Sequence, residues 1–426
     1  MPPADLKAAL GAPERSTLSG DRPATMRVMI FTAPVGAGHN AAAAALGHDL
    51  TSRGHRVEIV DGLALLGIER LVVGSYRFQI LHAGWSWRLL YRMTRSRRTI
   101  RLAGALLSLR AGPLRRCIAA SNPDLIVSAY PIVSAALAGL RRRQRLPYPT
   151  ATLVTDFDPH PCWVHPHLDA NLVVGQAAAG TSPIRPPVSA PPETQVDLLS
   201  LRRNLGLTPG SRAILIVGGA WGVGNLLGAA EAALAVPNVH VIVVAGYNQA
   251  LKRQLEQALD PRRASIFAFT PLLRDLMKVS DGLIQNAGGL TCLEAFAAGL
   301  PVIMFDPLPG HGEDNSAHMA RAGVITMALN PAALSAVIAL QSYWSEIAPA
   351  TVKAALDLFT RPGAAETLEQ IAGSPVSPSN PPRRRRALVT VALVLTCWFA
   401  IENPSQLSDF AAVVPPISYA GHASLL

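Results

Sequence analysis

The chain has 426 residues, half of them hydrophobic and only 15% charged. That excludes a disordered protein and leaves room for two large domains and a tail. The formal net charge of +10 is carried by arginine clusters at 88–116, 141–145 and 383–386, so an anionic partner is expected, either nucleic acid or a membrane surface. Cys117, Cys162, Cys292 and Cys397 lack Cys-x-x-Cys spacing and point to neither a zinc site nor a disulfide framework. Residues 1–25 are polar and proline-bearing, read as a disordered N-terminus without a signal peptide.

Residues 27–33 (RVMIFTA) form a continuous apolar run, the mark of a strand buried on both faces of a parallel sheet. It enters a loop containing Gly36, Gly38 and His39, then an alanine-rich helix over 41–53. Strand, glycine loop and helix open a doubly wound domain, but neither the dinucleotide fingerprint nor a Walker loop is present. His39 at the helix mouth is a candidate general base, with a helix-capping role as the alternative. A second strand over 57–60 ends at Asp61. Between 68 and 116, Tyr76, Phe78, Trp85, Trp87 and Tyr91 interleave with arginines and leucines at helical spacing. This composition suits a basic amphipathic element on an anionic membrane; a solvated helix surface and nucleic acid are the alternatives.

Strands at 124–128 and 151–154 follow, and the second delivers Thr155, Asp156, Asp158, His160 and Trp163 to the sheet edge where ligands bind. With His165 these side chains offer metal-ligand types, but the prolines and the missing i,i+4 pair argue against a metal site, and none is assigned. A strand at 172–174 closes a first domain over 26–175, and the Ala/Pro/Ser-rich stretch 176–210 reads as a linker.

The pattern restarts at 212–217 with a loop holding Gly218, Gly219, Gly222 and Gly224. Strands at 240–245 and 265–269 and a helix at 271–277 lead to the segment 283–315. There Gly288 and Gly289 make a turn that feeds a helix over 291–298, stopped by Gly299 and Pro301, before a strand at 302–305 and a polar loop. A glycine turn at a helix N-terminus is a ready anion site, and Glu294 one turn in can accept from a ribose diol. An ordinary βαβ turn is the plain alternative. The second doubly wound domain is placed at 211–373, followed by a Pro/Arg linker at 374–386. Residues 387–401 are about fifteen uncharged positions, roughly 22 Å as a helix against a hydrocarbon core of about 30 Å. With the arginines before it and Trp398 in it, the segment is expected as a span or anchor, leaving a short tail at 402–426.

The α/β pattern of two doubly wound, Rossmann-like halves facing a cleft describes the GT-B architecture, here with a C-terminal hydrophobic segment. Five blocks go further. FTAPVGAGHNAAAAAL, YRFQILHAGWSWRLLYRMTR, LVTDFDPHPCWVHPHLDANLVV, VGGAWGVGNL and NAGGLTCLEAFAAGLPVIMFDPLPGHGEDN appear in this order. Together they resemble the family of monogalactosyldiacylglycerol synthases and processive diacylglycerol glucosyltransferases, and more distantly the lipid II N-acetylglucosaminyl transferase MurG. The resemblance implies an inverting, metal-independent and cofactor-free transfer of galactose, glucose or N-acetylglucosamine. It implies a UDP-sugar donor and a membrane-lipid acceptor such as diacylglycerol, and the arginines at 383–386 make the cytoplasmic face of the membrane the expected setting. With the basic aromatic stretch at 68–116, an anionic phospholipid surface and no nucleic acid are the further expectations for partners. The resemblance makes His39 the catalytic residue. Gly36, Gly38, Trp85, Trp87, Tyr91, Asp156, His160 and Trp163 fall on the acceptor and membrane side. Donor binding falls to Gly218, Gly219, Gly222, Gly224, Phe269, Met277, Asn286, Gly288, Gly289, Thr291, Glu294, His311 and Asn315. Asn286 replaces the family's usual lysine and His311-Gly312 its Gln-Glu, so the donor sugar is not carried over. A UDP-sugar 2-epimerase on the same scaffold and a non-catalytic membrane-docked sugar-nucleotide or lipid-binding protein are the rival readings.

Overall fold

In the computed structural model, which describes residues 25–157, 159–189 and 196–372, the first apolar run becomes β1 (Arg27–Thr32), buried from Val28 onward. It lies between β2 (Arg56–Asp61) and β3 (Leu125–Ser128), and β4 (Thr150–Leu153), β5 (Ala170–Val173) and β6 (Ser182–Pro183) extend the sheet. All neighbours are parallel and the order is β2-β1-β3-β4-β5-β6. The order reverses beside β1, so the loops after β1 and β3 flank a crevice at the strands' carboxyl ends. The first of these loops leads into α1 (Gly38–Ser52).

The β2-to-β3 crossover is long because it carries five helices: α2 (Gly62–Leu66), α3 (Glu69–His82), α4 (Gly84–Met93), α5 (Arg97–Arg110) and α6 (Gly112–Ser121). Helix α7 (Pro131–Arg142) follows β3 and packs closely on α5. At their crossing a Cβ added to Gly139 would stand 2.4 Å from the Gly104 carbonyl oxygen, so only glycine permits this approach.

β6 falls within the stretch expected as linker, and the Ile184 amide continues its pairing by donating to the Val173 carbonyl at 2.8 Å. The first domain therefore runs past 175. Its partner begins earlier than expected too, since α8 (Leu198–Asn204) packs on the helix at 273–279 of the second domain.

That domain alternates strand and helix: β7 (Arg212–Val217), α9 (Leu226–Leu234), β8 (Val239–Val244), α10 (Gln249–Ala258), β9 (Ala264–Phe267), α11 (Leu273–Val279), β10 (Gly282–Gln285), α12 (Leu290–Ala297), β11 (Val302–Phe305), α13 (His311–Arg321), β12 (Thr326–Ala328) and α14 (Pro331–Ala339). The sheet order is β12-β11-β10-β7-β8-β9, all parallel, with its switch point between β7 and β10. The two glycine loops, after β7 and after β10, therefore meet.

Helices α15 (Ala348–Leu356) and α16 (Ala364–Ala372) finish the described chain. α16 returns to the first domain and packs on α1, where Glu369 accepts from His55 Nε2 at 2.9 Å and from Arg53 at 3.1 Å. The second domain's chain thus ends, at the expected boundary of 373, on a helix that packs against the first domain. One apolar cluster joins Val28 and Leu46 beneath α1 to Leu290, Leu293 and Phe296 of α12, across the domain junction. No helix of the described residues is long and apolar enough to cross a membrane. The expected span at 387–401 lies outside the described residues.

Candidate active site

His39 sits at the second position of α1, over the crevice made by the sheet reversal. Its Nδ1 is 3.1 Å from the Thr155 hydroxyl, and its ring stands edge-on to Tyr130 at 5.0 Å and tilted to Trp163 at 5.9 Å. Burial among these rings pushes the imidazole pKa below its ordinary value. The Asp156 charge and a hydrogen bond to the Ala129 backbone oppose that, and His311 adds to it. The net result is a neutral imidazole near pH 7, the form that takes up a proton.

Asp156 is the charged centre of the cleft. It accepts from Trp163 Nε1 at 2.7 Å within its own domain and from Asn315 Nδ2 at 3.2 Å across the boundary. Trp163 is thereby fully buried beneath the cleft. His160 is buried against Tyr91, ring centroids 4.3 Å apart, and its Nδ1 accepts from the Cys162 amide at 3.2 Å. Burial lowers its pKa to about 4.

The aromatic stretch expected at a membrane divides. Trp85 is 72% exposed, and Leu89 and Met93 continue its stripe along α4 at intervals of four. Trp87 and Tyr91, by contrast, turn inward toward the second domain. Trp87 Nε1 donates to His311 Nδ1 at 3.2 Å, and Tyr91 is only 8% exposed. The arginines divide likewise. Arg88 makes a two-pronged pair with Glu313 (3.1 and 2.5 Å) and Arg95 pairs with Asp314 at 2.5 Å, closing α4 onto the first turn of α13. Trp87 and Tyr91 are therefore interdomain residues. Periodicity shows that a helix has a face and not what covers it.

On the second domain, a Cβ on Gly222 would meet the Ala245 carbonyl oxygen at 2.1 Å, and Gly224 holds φ of 103°. Gly218 and Gly219 begin the same loop, with the Val223 amide closing on the Gly218 carbonyl at 3.0 Å. Asn286, expected to face the donor, instead ties the two glycine loops together, its Nδ2 donating to the Val223 carbonyl at 2.7 Å. Gln285, which the sequence reading passed over, accepts from the Gly288 amide at 3.3 Å and from that of Ala287, fixing the turn at Gly288 and Gly289. Beyond this turn the first amides of α12, including Thr291, have no acceptor within the helix, so its N-terminus is a ready anion site.

Glu294 lies on the next turn of α12 and pairs with Arg274 at 3.3 Å. Both line a concavity with Val188, Met277 and Lys278. Burial raises the Glu294 pKa, with Arg274 opposing. Phe269 is half-exposed and stacked on Tyr247, centroids 4.5 Å apart and planes 6° from parallel, an open aromatic platform at the strand ends. Gly38 brings the halves together, since a Cβ there would touch Leu290 Cβ at 3.6 Å. The N-termini of α1 and α12 thus meet across the cleft. Among the described residues no group of three or more His, Cys, Asp or Glu side chains is arranged to hold a metal ion.

Residues 39–180 match the family model for monogalactosyldiacylglycerol (MGDG) synthase, and residues 213–338 match that for the glycosyltransferase family 28 C-terminal domain. A processive diacylglycerol beta-glucosyltransferase of Bacillus licheniformis is 32% identical over 209 residues, 46% of this chain and 54% of that protein. Its counterpart in Bacillus thuringiensis is 28% identical over 224 residues, 49% and 57% of the two chains. The chain spans about half the length of the curated relatives it matches. Among solved structures, the spinosyn rhamnosyltransferase SpnG superimposes with TM-score 0.56 at 18% identity, covering 82% of this chain and all of that one (100%). The glycosyltransferase SnogD from Streptomyces nogalater gives 0.54 at 17% identity, covering 82% and 100%. These structures share the fold of two parallel-sheet α/β domains, the GT-B arrangement.

Proposed function

We propose that this relative of the monogalactosyldiacylglycerol synthases and processive diacylglycerol glucosyltransferases is an inverting glycosyltransferase. On this reading it moves a hexose from a UDP-sugar to the hydroxyl of a membrane lipid of the diacylglycerol class, using neither metal nor cofactor. The observation that carries the reading is the meeting of α1 and α12, which sets a neutral His39 opposite a helix N-terminus suited to a diphosphate. His39 takes the acceptor's proton as the acceptor oxygen bonds to the anomeric carbon. The bond from that carbon to the diphosphate oxygen breaks on the opposite face, and UDP leaves with the electron pair. The amides and dipole of α12 stabilise the charge that collects on UDP. Glu294 suits the ribose diol, the Tyr247–Phe269 platform a nucleobase, and the first turn of α13 the sugar. Closure over the cleft keeps water from the anomeric carbon.

The exposed stripe of Trp85, Leu89 and Met93, with Leu106 and Leu109 of α5 and the exposed Arg92, Arg98 and Arg101, suits an anionic phospholipid surface. Its setting on this reading is the cytoplasmic face of the membrane. UDP release from UDP-glucose, UDP-galactose and UDP-N-acetylglucosamine, with diacylglycerol in anionic vesicles, tests the proposal against His39→Ala. Lipid-dependent release that disappears in the variant supports it. Release from no donor, or equal release by the variant, rejects it.

A further inference from the structure

A hydrogen-bond chain crosses the domain boundary beside the first turn of α13, and the chemistry of its members fixes its direction. Trp87 Nε1 is 3.2 Å from His311 Nδ1, and an indole N–H can only donate. A neutral imidazole that accepts at Nδ1 carries its proton on Nε2. His311 Nε2 lies 3.3 Å from the Tyr76 phenol oxygen, so it donates there. Among the described residues the Tyr76 O–H then has no acceptor of its own and is the outward end of the chain. Both titratable members stay neutral, since burial pushes His311 below and Tyr76 above its ordinary pKa. The Tyr76 ring is packed edge-on to Trp87 at 4.7 Å and tilted to Trp221 at 5.8 Å. Trp221 belongs to the glycine loop after β7. The phenol therefore stands where that loop, the α13 turn and the first domain converge.

We propose that Tyr76 contacts the donor sugar, its O–H donating to a sugar oxygen, and that Trp87 and His311 are positioning residues that fix the chain's polarity. This rests on the nucleotide-sugar reading above and adds a specificity element from the first domain. The second domain alone cannot supply that contact, so sugar recognition requires the domains to be closed. Trp87→Phe keeps an aromatic side chain and removes the indole N–H that sets the His311 tautomer.

Two measurements on the full chain test this. Nitrogen-15 shifts of His311 are expected to show a single neutral form protonated on Nε2, and a mixture of tautomers in Trp87→Phe. Identical His311 shifts in wild type and variant overturn the positioning role whether or not the protein transfers sugar. Equilibrium binding then compares UDP with UDP-glucose, UDP-galactose and UDP-N-acetylglucosamine. For the preferred sugar, the ratio of UDP-sugar Kd to UDP Kd is expected to rise about tenfold in Tyr76→Phe, and in the same direction in Trp87→Phe, with UDP affinity unchanged. An unchanged ratio, or equal loss of UDP and UDP-sugar, overturns the sugar contact. If no nucleotide binds at all, the underlying functional reading fails, and the tautomer result still judges the hydrogen-bond chain.

Discussion

Asn315 of the second domain donates to Asp156 of the first across 3.2 Å, and the same carboxylate holds the Trp163 indole at 2.7 Å. Asp156 thus joins closure of the cleft to the wall beside His39, and its charge raises the His39 pKa against burial. Asp156→Asn removes the charge with little change of shape. His39 should become harder to protonate, so the acid limb of kcat/KM is expected to move to lower pH. The imidazolium formed in the transition state also loses its counter-charge, so kcat/KM at neutral pH should fall by about 10- to 100-fold. A pH–rate profile checks both. An acid limb that stays in place or moves upward shows that Asp156 does not act on His39 electrostatically.

The glycine turn before α12 offers a paired test of the anion site. Gly288 has φ of 67° and a Cβ there would come within 2.8 Å of Asn315 Cβ, so Gly288→Ala should destabilise by about 1–2 kcal/mol from backbone strain alone. Gly289 has φ of −89°, and among the described residues no atom beyond its chain neighbours lies within 4 Å of an added Cβ. Gly289→Ala should therefore melt at the wild-type temperature and yet bind UDP about tenfold or more weakly, because its methyl group stands at the mouth of the helix. Thermal melts and UDP titration separate the two effects. Full UDP affinity in Gly289→Ala would place the diphosphate elsewhere.

Much of this fold could be read before its coordinates. β1, β7 and β8 are continuous apolar runs because both of their faces are covered, and glycines with α1 and α12 follow the strands that need sharp exits. His39, Asp156 and Glu294 stand out as polar groups at strand or helix ends beside such exits. What could not be read is which surface covers which. Trp87 and Trp85 are two residues apart on one amphipathic helix, and one reaches the second domain while the other faces outward. Arg88 and Arg95 resemble headgroup ligands until Glu313 and Asp314, more than two hundred positions away, fold against them. β6 is two residues long in a Pro/Ser stretch, and only the neighbouring β5 makes it a strand. Tyr76 passed as part of a membrane-facing stripe because its partner His311 belongs to the other domain.

Two buried histidines set an acid limit on stability. His160 and His165 are both held neutral, their pKa values lowered by burial to about 4. In the unfolded chain each titrates near 6.5, so between pH 6.5 and 4 the unfolded state binds more protons than the folded one. Stability should therefore rise with pH through that window and fall as pH drops through it, by up to roughly 3 kcal/mol per histidine. His165→Leu removes one titration outside the reacting cleft. Urea midpoints measured from pH 7 to 4 should decline less steeply in this variant. A slope equal to wild type would show that His165 is protonated without cost.

Glu294 offers the sharpest test of nucleotide binding. Its carboxylate is held beside Arg274, which opposes the burial that raises its pKa. Two carboxylate oxygens in a concavity match the two hydroxyls of a ribose, and a hydrogen bond to a charged acceptor contributes about 1.5–3 kcal/mol. Glu294→Gln should then weaken UDP binding by roughly 10- to 150-fold. It should also erase most of the preference for UDP over its 2′-deoxy analogue, because only the ribose nucleotide makes the contact. Wild-type affinity for UDP should weaken toward acid pH as the carboxyl gains its proton, and that dependence should vanish in the variant. Calorimetric titration with both nucleotides at several pH values reads all three effects. If the variant loses UDP and deoxy-UDP affinity equally, Glu294 supports α11 and α12 through Arg274 and does not touch the sugar of the nucleotide.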